Sequence, residues 1–552
     1  MSWFIAPTVA LCAQQFSVLK SHIPVSVGLV SGANEPDQWK SHALWERVIQ
    51  THRVMVSTPQ VLLDALRHGY IVLGRDISLL IFDEAHHAVD NHPYNRIMKE
   101  FYFDISVSQN AGGPNGAVRP MVLGLTASPI YGGNVDKAFR FVQSLSALRS
   151  VLILHGSTIE SNLDCAISAP RCYQSELAKY VHRPIFRHIV YHSTDQLFAT
   201  NVASLKAVVE TIDINNDPRV IDLRNKLDRS TVGSPEYGNY DQKLSKVIQS
   251  QETFSQKGLR QFCRTAEVIC QDFGAWAADW FVWKVVERAK KAANPFNNIM
   301  PSWKVSEKAY LGSILERIHV NPASYYPDDI ADDCTDKVKV LIDCLLLEKA
   351  ESESLEEVYS GIVFVQRRDA VIALAEILKH HPSSKGVFNI GILLGTSDSS
   401  HRHSMMDITR SLVKESQEDT LADFKEGEKN LIVATAVAEE GIDIQACGSV
   451  IRWDPPQNMA SWAQSRGRAR KKRSTFTVMF EEGSKQQNDI AKWEELERQM
   501  RELIYDPSRE MTVKEGIVED GNEEDDDTIY EVAPTGSVLL QIIPNVHYLI
   551  LL

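Results

Sequence analysis

No apolar run in this chain reaches the ~20 residues that a bilayer-spanning helix requires, so no membrane span is expected. Positive charge is in the minority: 58 lysines and arginines face 72 aspartates and glutamates, for a net charge of -14. That balance excludes a generally basic nucleic-acid coat, so any such binding must come from local positive surface. The eight cysteines include no Cys-x-x-Cys pair, which disfavours a zinc site or a disulfide framework. The start, Met1-Ser2-Trp3-Phe4, places no basic region before its apolar residues and runs on into Pro7-Thr8, unlike a secretory signal. Together these absences predict a soluble intracellular protein with reduced thiols. At 552 residues and 44% apolar composition, the chain is long enough for about three globular domains.

The stretch that organises the rest is Leu79-Leu80-Ile81-Phe82-Asp83-Glu84-Ala85-His86-His87. Four apolar residues ending abruptly in two carboxylates read as a buried parallel strand delivering charge to a ligand cleft. In phosphoryl transfer such a pair has a division of labour, one acid holding Mg2+ and the next orienting or deprotonating water. Asp83 is the candidate metal-side residue and Glu84 the candidate base. A bland reading, a strand meeting a solvated loop, carries equal weight until a second stretch is considered. That stretch is Gln464-Ser465-Arg466-Gly467-Arg468-Ala469-Arg470, where small residues between guanidinium groups allow close approach to a triphosphate. It follows a strand-like Val450-Ile451-Arg452-Trp453 and a turn at Asp454-Pro455-Pro456, so it is expected to open a helix beside a sheet end. Acids in one half and arginines in the other suggest a nucleotide clamped between two lobes.

Elsewhere strands alternate with helices, the pattern of a doubly wound parallel sheet with ligands at strand carboxyl ends. Strand signals lie at residues 3–6, 25–29, 53–56 and 121–125, and again at 361–365, 389–394 and 430–434. Thr8 and Thr58 stand at such ends before helices, where hydroxyls and free amides can hold a phosphate or simply cap the helix. Thr126 and Ser128 follow one strand and Thr435 another. Gly441 permits a tight backbone approach, and Asp443 can accept hydrogen bonds from a ribose or an arginine. Between 154 and 331 helical patterns take over, above all across 252–293. Its Phe254, Phe262, Phe273, Trp276, Trp280, Phe281 and Trp283 sit at helical spacing and are read as core rather than as base-stacking platforms. Lys284, Arg288, Lys290 and Lys291 form either a basic edge toward a nucleic acid or a solvated helix end. Residues 489–503 have heptad-like spacing, and 519–527 is an acidic spacer.

Taken in order, Ala6-Pro7-Thr8 with Gln14-Gln15, Ser57-Thr58-Pro59, Asp83-Glu84-Ala85-His86, Leu125-Thr126-Ala127-Ser128-Pro129, Ala434-Thr435 with Glu440-Gly441-Ile442-Asp443, and 464–470 form a recognisable series. The chain resembles the helicase region of fungal-type Dicer-like proteins, within the superfamily-two DEAH-type helicases that include innate-immune RNA sensors. By that resemblance Asp83 and Glu84 carry Mg2+ and water activation. Gln464, Arg468 and Arg470 contact the triphosphate of ATP together with Gly441 and Asp443. His86, Thr126 and Ser128 couple hydrolysis to lobe movement, and Thr8, Thr58 and Thr435 hold RNA phosphates. Duplex RNA as substrate, a role in RNA silencing and antiviral defence, silencing or double-stranded-RNA-binding proteins as partners, and a cytoplasmic location with the nucleus as alternative all follow from the resemblance.

The expected architecture is α/β, two RecA-like parallel-sheet lobes with an all-helical insertion. The expected divisions are 1–153 for the first lobe, 154–331 for the insertion with the start of the second lobe, and 332–485 for the second lobe. An arm and acidic linker take 486–531, and 532–552 begins a Dicer dimerisation-type domain. The family's phosphate loop, Gly-x-x-x-x-Gly-Lys-Ser/Thr, is expected upstream of Ala6-Pro7-Thr8, and no such pattern occurs in the 552 residues. The first lobe is therefore expected to lack that strand, to show a gap in its sheet, and to hydrolyse ATP poorly or not at all. Two other classes are a non-catalytic RNA-binding remnant or incomplete gene product, and a DNA-repair-type translocase.

Overall fold

Segments such as Trp3-Phe4-Ile5 and Leu80-Ile81-Phe82 are buried throughout, as strands inside a parallel sheet must be. The structure, a computed structural model, describes residues 1–31, 42–88, 91–105, 119–126, 150–154, 165–168, 184–194, 197–250, 252–294, 296–297, 299–394, 405–413, 416–435, 444, 447–456, 459–485, 491–495, 498, 540–541 and 550–551. Within them, two parallel sheets carry the fold. The first takes β1 (Ser2–Ile5), β2 (Val27–Val30), β3 (Val54–Ser57), β4 (Leu79–Phe82), β5 (Met121–Thr126), β6 (Ser150–Leu154) and β7 (Cys165–Ser168) in the order β2-β3-β1-β4-β5-β6-β7. The second takes β8 (Ile185–Tyr191), β9 (Gly361–Phe364), β10 (Ile390–Leu393), β11 (Leu431–Ala434), β12 (Ser449–Arg452) and β13 (Thr475–Glu481) in the order β10-β11-β9-β12-β13-β8. Two α/β lobes with helical content are what the alternation of elements predicts.

Several expectations need correction. The first sheet has no gap, because β5 pairs directly with β6, Leu123 opposite Val151, so that ladder donors and acceptors meet partners. That sheet also takes in β7, which lies beyond residue 153 in the stretch expected to be helical. Two strands of the second sheet gave no sequence signal. In β8 the apolar run is broken by Arg187 and His188, and Arg187 pairs with Glu351 on the helix Asp336–Ser354. In β13 the polar residues point inward: the hydroxyls of Thr475 and Thr477 donate to the Glu348 carboxylate at 2.9 and 3.2 Å, and Ser449 of β12 donates to the same group. Burial pushes the Glu348 carboxyl up, and these three donors pull it back.

The insertion comprises the helices Thr200–Glu210, Pro218–Arg229, Pro235–Ser250, Phe254–Phe273, Ala275–Ala293 and Val305–Glu316. Its aromatics Phe262, Phe273, Trp276, Trp280 and Phe281 are buried, as a core reading requires. Phe254 lies at the surface against Trp303, and Trp283 is half-buried beneath the Lys284 ammonium, 3.5 Å from its ring centre. Lys290 and Lys291 occupy the last turn of Ala275–Ala293, where positive charge suits the helix dipole. The insertion and the second lobe share one hydrophobic core running from Leu205 through Phe281 to Leu374 and Trp453. The first lobe is built on separate clusters, around Trp3 and Leu80 on one side of its sheet and Phe4 and Ile81 on the other.

The helical stretch across 252–293 is two helices, broken at Gly274. This residue has φ +114°, a conformation open to glycine, and an added Cβ would lie 1.8 Å from the Asp333 carbonyl oxygen. The Phe273 carbonyl accepts from the Thr335 amide at 3.3 Å, and the Asp272 carbonyl accepts from the Thr335 hydroxyl at 2.9 Å. The joint of the two long insertion helices is thus pinned to the entrance of the second lobe. Gly274→Ala is expected to destabilise the chain by about 2–4 kcal/mol through backbone strain and the forced clash. Calorimetry of the purified chain checks it, and a shift below about 0.5 kcal/mol contradicts the pinned joint.

Candidate functional site

Asp83 and Glu84, the two residues after β4, are 1% and 7% exposed. The Asp83 amide donates to the Ile5 carbonyl at 2.8 Å, which extends the pairing of β4 with β1 past the strand end. Tyr94 lies across the same junction, its hydroxyl 2.9 Å from the Ile5 carbonyl oxygen and 2.8 Å from that of Asp83, one proton shared between two acceptors. The Asp83 carboxylate accepts from the Glu84 amide at 3.2 Å and from Gln15 Nε2 at 3.3 Å. Burial, and then the charge of Glu84, push the Asp83 carboxyl well above its usual range, with those two hydrogen bonds opposing. Glu84 itself takes a left-handed backbone conformation, φ 48° and ψ 52°, before the 3-10 turn Ala85–His87. A side chain held in that region costs on the order of 1 kcal/mol, the kind of strain that collects at functional sites.

The pair suits a hard divalent cation. Two oxygen donors out of water, one of them reluctant to ionise, gain most from a positive charge brought between them. Among the described residues no group of three or more histidine, cysteine, aspartate or glutamate side chains forms a full metal cage. Mg2+ is characteristically held by one or two carboxylates with phosphate oxygens completing its shell. Thr8 and Thr58 follow β1 and β3, neighbours in the same sheet. Thr8 caps the helix Val9–His22 by accepting from the Leu11 amide at 3.2 Å, so its hydroxyl serves the fold. Thr58 precedes the helix Pro59–Arg67 and makes no such bond, leaving capping as no explanation for its hydroxyl. His86 and Thr126 lie in the 3-10 turn and in β5, but their side chains, like all of Ser128, Gly441 and Asp443, fall outside the described residues. So do most of 489–503 and all of 519–527 and 532–537.

The arginine stretch closes a helix instead of opening one. After Pro455-Pro456 the helix Met459–Arg466 forms, and at Gly467 the chain turns, its amide returning to Ala463 at 2.8 Å. Gln464 is buried with its Nε2 lacking a hydrogen-bond partner among the described residues, and the same is true of the hydroxyl of Thr435 after β11. Buried amides and hydroxyls without partners are rare in folded proteins, and here they sit where a polar ligand is expected. Arg468 is also buried, its carbonyl accepting from Cys447, and Arg470 donates to the Gly467 carbonyl at 2.6 Å. Of the described candidates, Asp83 and Glu84 stand together after β4, while in the second lobe Thr435 follows the carboxyl end of β11 and Arg468 and Arg470 lie beside Cys447, before the amino end of β12.

A further feature escaped the sequence. A cleft of about 420 Å³ lies between the insertion helix Phe254–Phe273 and the start of the helix Arg368–His380, lined by Gln261, Arg264, Arg367, Arg368, Asp407 and Thr409. Three segments distant in sequence contribute, so no local motif marks it. Its lining sets Arg264, Arg367 and Arg368 beside Asp369 and Asp407, with Arg367 paired to Asp369.

Residues 2–132 match the DEAD/DEAH box helicase family, and residues 336–472 match the helicase conserved C-terminal domain. Dicer-like protein 2 of Neosartorya fischeri is 36% identical over 518 residues, which is 92% of this chain and 34% of that protein. The chain belongs with the Dicer-like proteins, as a helicase region. Dicer-like protein 2 of Aspergillus terreus is 35% identical over 97% of this chain and 36% of its own length, and that of Cryphonectria parasitica 32% over 93% and 32%. The chain thus spans about a third of these relatives. The helicase domain of Pyrococcus furiosus Hef aligns over 88% of each chain, with 19% identity and a TM-score of 0.38. No helix among the described residues of the Dicer-like region is long and apolar enough to cross a membrane.

One consequence can be measured in this Dicer-like helicase region without any ligand. Because the folded state raises the Asp83 pKa, its contribution to stability is full below the unfolded value and is lost as pH rises through the folded one. Asp83→Asn is therefore expected to stabilise the chain at pH 8 by on the order of 1–2 kcal/mol and to change little at pH 4. Urea denaturation at the two pH values checks it; equal effects at both would contradict the burial of a charge-averse carboxyl.

Proposed function

We propose that this region is an ATP-dependent grip on double-stranded RNA, the motor portion of a protein acting in RNA silencing and antiviral defence. The observation that carries the reading is the desolvated Asp83–Glu84 pair at a strand's carboxyl end, with Glu84 held in a strained conformation. Asp83, positioned by Gln15, would hold Mg2+, which when bound neutralises phosphate charge and fixes the geometry of ATP. Glu84 accepts the proton of the water that attacks the γ-phosphorus. From the other lobe Gln464 donates its amide to the triphosphate, while Arg468 and Arg470 balance charge on the transferred group. Gly441 and Asp443 border the nucleotide, and His86, Thr126 and Ser128 link its state to lobe closure. Thr58 and Thr435, with Thr8 in a secondary role, face RNA phosphates, and the cleft around Arg264 and Arg368 adds to the same backbone contact. The 552 residues contain no Gly-x-x-x-x-Gly-Lys-Ser/Thr loop, and we infer that this polypeptide alone hydrolyses ATP slowly.

Anisotropy titrations with a labelled duplex RNA test the grip. Affinity is expected to fall steeply with salt, and Arg264→Ala with Arg368→Ala to weaken binding about tenfold. Equal competition by duplex DNA would point instead to a duplex translocase without RNA preference. Malachite-green assays test the chemistry: RNA-stimulated phosphate release that Glu84→Gln abolishes would overturn the inference of slow hydrolysis while supporting the role of Glu84.

A further inference from the structure

Successive residues of an extended strand send their side chains to opposite faces of a sheet. At the end of β12 those residues are Arg452 and Trp453. Arg452 is 3% exposed, and its guanidinium donates from Nη1 to the Ser461 hydroxyl at 2.8 Å, the Ser465 hydroxyl at 3.1 Å and the Ser461 carbonyl at 3.3 Å. Its Nε donates to the Asp454 carbonyl at 3.1 Å. Ser461 and Ser465 belong to the helix Met459–Arg466 that carries Gln464. Trp453, fully buried, goes the other way. Its indole stacks on Phe273, ring centres 4.8 Å apart and planes 13° from parallel, at the pinned joint of the insertion beside Gly274. The Lys337 ammonium, on the first turn of Asp336–Ser354, lies 4.2 Å from the same indole ring and 4.9 Å from that of Tyr191. The indole N–H has no hydrogen-bond partner among the described residues, so ring contacts hold it.

We propose that Arg452 and Trp453 form a rigid link through which the insertion's helix joint sets the position of the Gln464-bearing helix. The link deepens the proposed function and rests on it, since it ties the part assigned to gripping RNA to the part assigned to ATP. Both are positioning residues. Arg452 fixes the helix with a planar fork that lysine cannot reproduce, and Trp453 needs a ring surface against Phe273. The shared core around the stack is close-packed, so a displacement at the joint is transmitted rather than absorbed.

Hydrogen exchange of the full 552-residue chain, read by mass spectrometry, tests the link. In the free chain, Phe273→Leu is expected to speed exchange in 459–466 about fivefold although Phe273 and Trp462 of that helix belong to different hydrophobic clusters. Arg452→Lys does the same, whereas Trp453→Phe, which keeps a ring and removes the unpartnered N–H, stays near wild type. A purely local role for Phe273 would loosen 254–293 and leave 459–466 unchanged, and that result overturns the proposal. With a short duplex RNA bound, wild type and Trp453→Phe are expected to gain protection in 459–466. Phe273→Leu is expected to bind RNA within about threefold of wild type yet gain no such protection. Protection gained equally in Phe273→Leu also overturns the link. Failure of the wild-type chain to bind RNA overturns the grip instead, and the free-chain comparison still decides the link.

Discussion

A tyrosine hydroxyl set between two strand ends, that of Tyr94 against the carbonyls of Ile5 and Asp83, closes the first lobe at the point where the proposed chemistry begins. Everything proposed for that lobe depends on Asp83 being withdrawn from water there. Withdrawal raises its pKa, makes a neighbouring carboxylate unwelcome and makes a divalent cation welcome. The same geometry forces Glu84 into a left-handed conformation that a glycine would occupy without cost. The lobe thus holds two groups that oppose its own stability, and both are the groups assigned to the reaction. That pattern is common where a site is organised before its ligand arrives.

The second lobe is organised differently. One face of its sheet packs with the insertion into a single core, while the other face carries a separate cluster around Phe364, Trp462 and Phe476, so the insertion is continuous with one side of the lobe in packing terms even though it interrupts it in sequence. Within the insertion, the helix pair Pro218–Arg229 and Pro235–Ser250 keeps a small core of its own, around Val220 and Leu244. A force applied along Phe254–Phe273 meets the second sheet directly. The polar cleft beside Arg264 and Arg368 lies along that boundary.

Much of this was legible in the residues. Buried strands with nearly continuous apolar residues, Leu79–Phe82 and Leu431–Ala434 above all, stand out because parallel strands need apolar side chains on both faces. The aromatic spacing of Phe262 and Phe281 marked a helical core for the same reason. What stayed hidden depended on distant partners. Thr475 and Thr477 look solvent-facing until Glu348 arrives from the helix Asp336–Ser354 to accept their hydrogen bonds. Gly274 reads as an ordinary interruption until the Asp333 carbonyl is placed against it. Gln15 stood in the motif series by type and order, but its hydrogen bond to Asp83, and that of Arg452 to Ser461 and Ser465, could not be read from the residues. An uncharged amide in a helix and an arginine ending a strand have many innocent uses, and only the folded contacts select one.

The place of β8 has a consequence for how the molecule is made. This strand leaves the ribosome straight after the first lobe, yet its hydrogen-bonding partner β13 is among the last parts of the second sheet to be synthesised. Between them the whole insertion must emerge and collapse. For that interval β8 is an unpaired edge carrying Ile185, Phe186, Ile189 and Val190, the sort of segment that chaperones bind and that neighbouring chains can capture. Biogenesis of such a protein is governed less by the stability of either lobe than by how safely one early strand can wait.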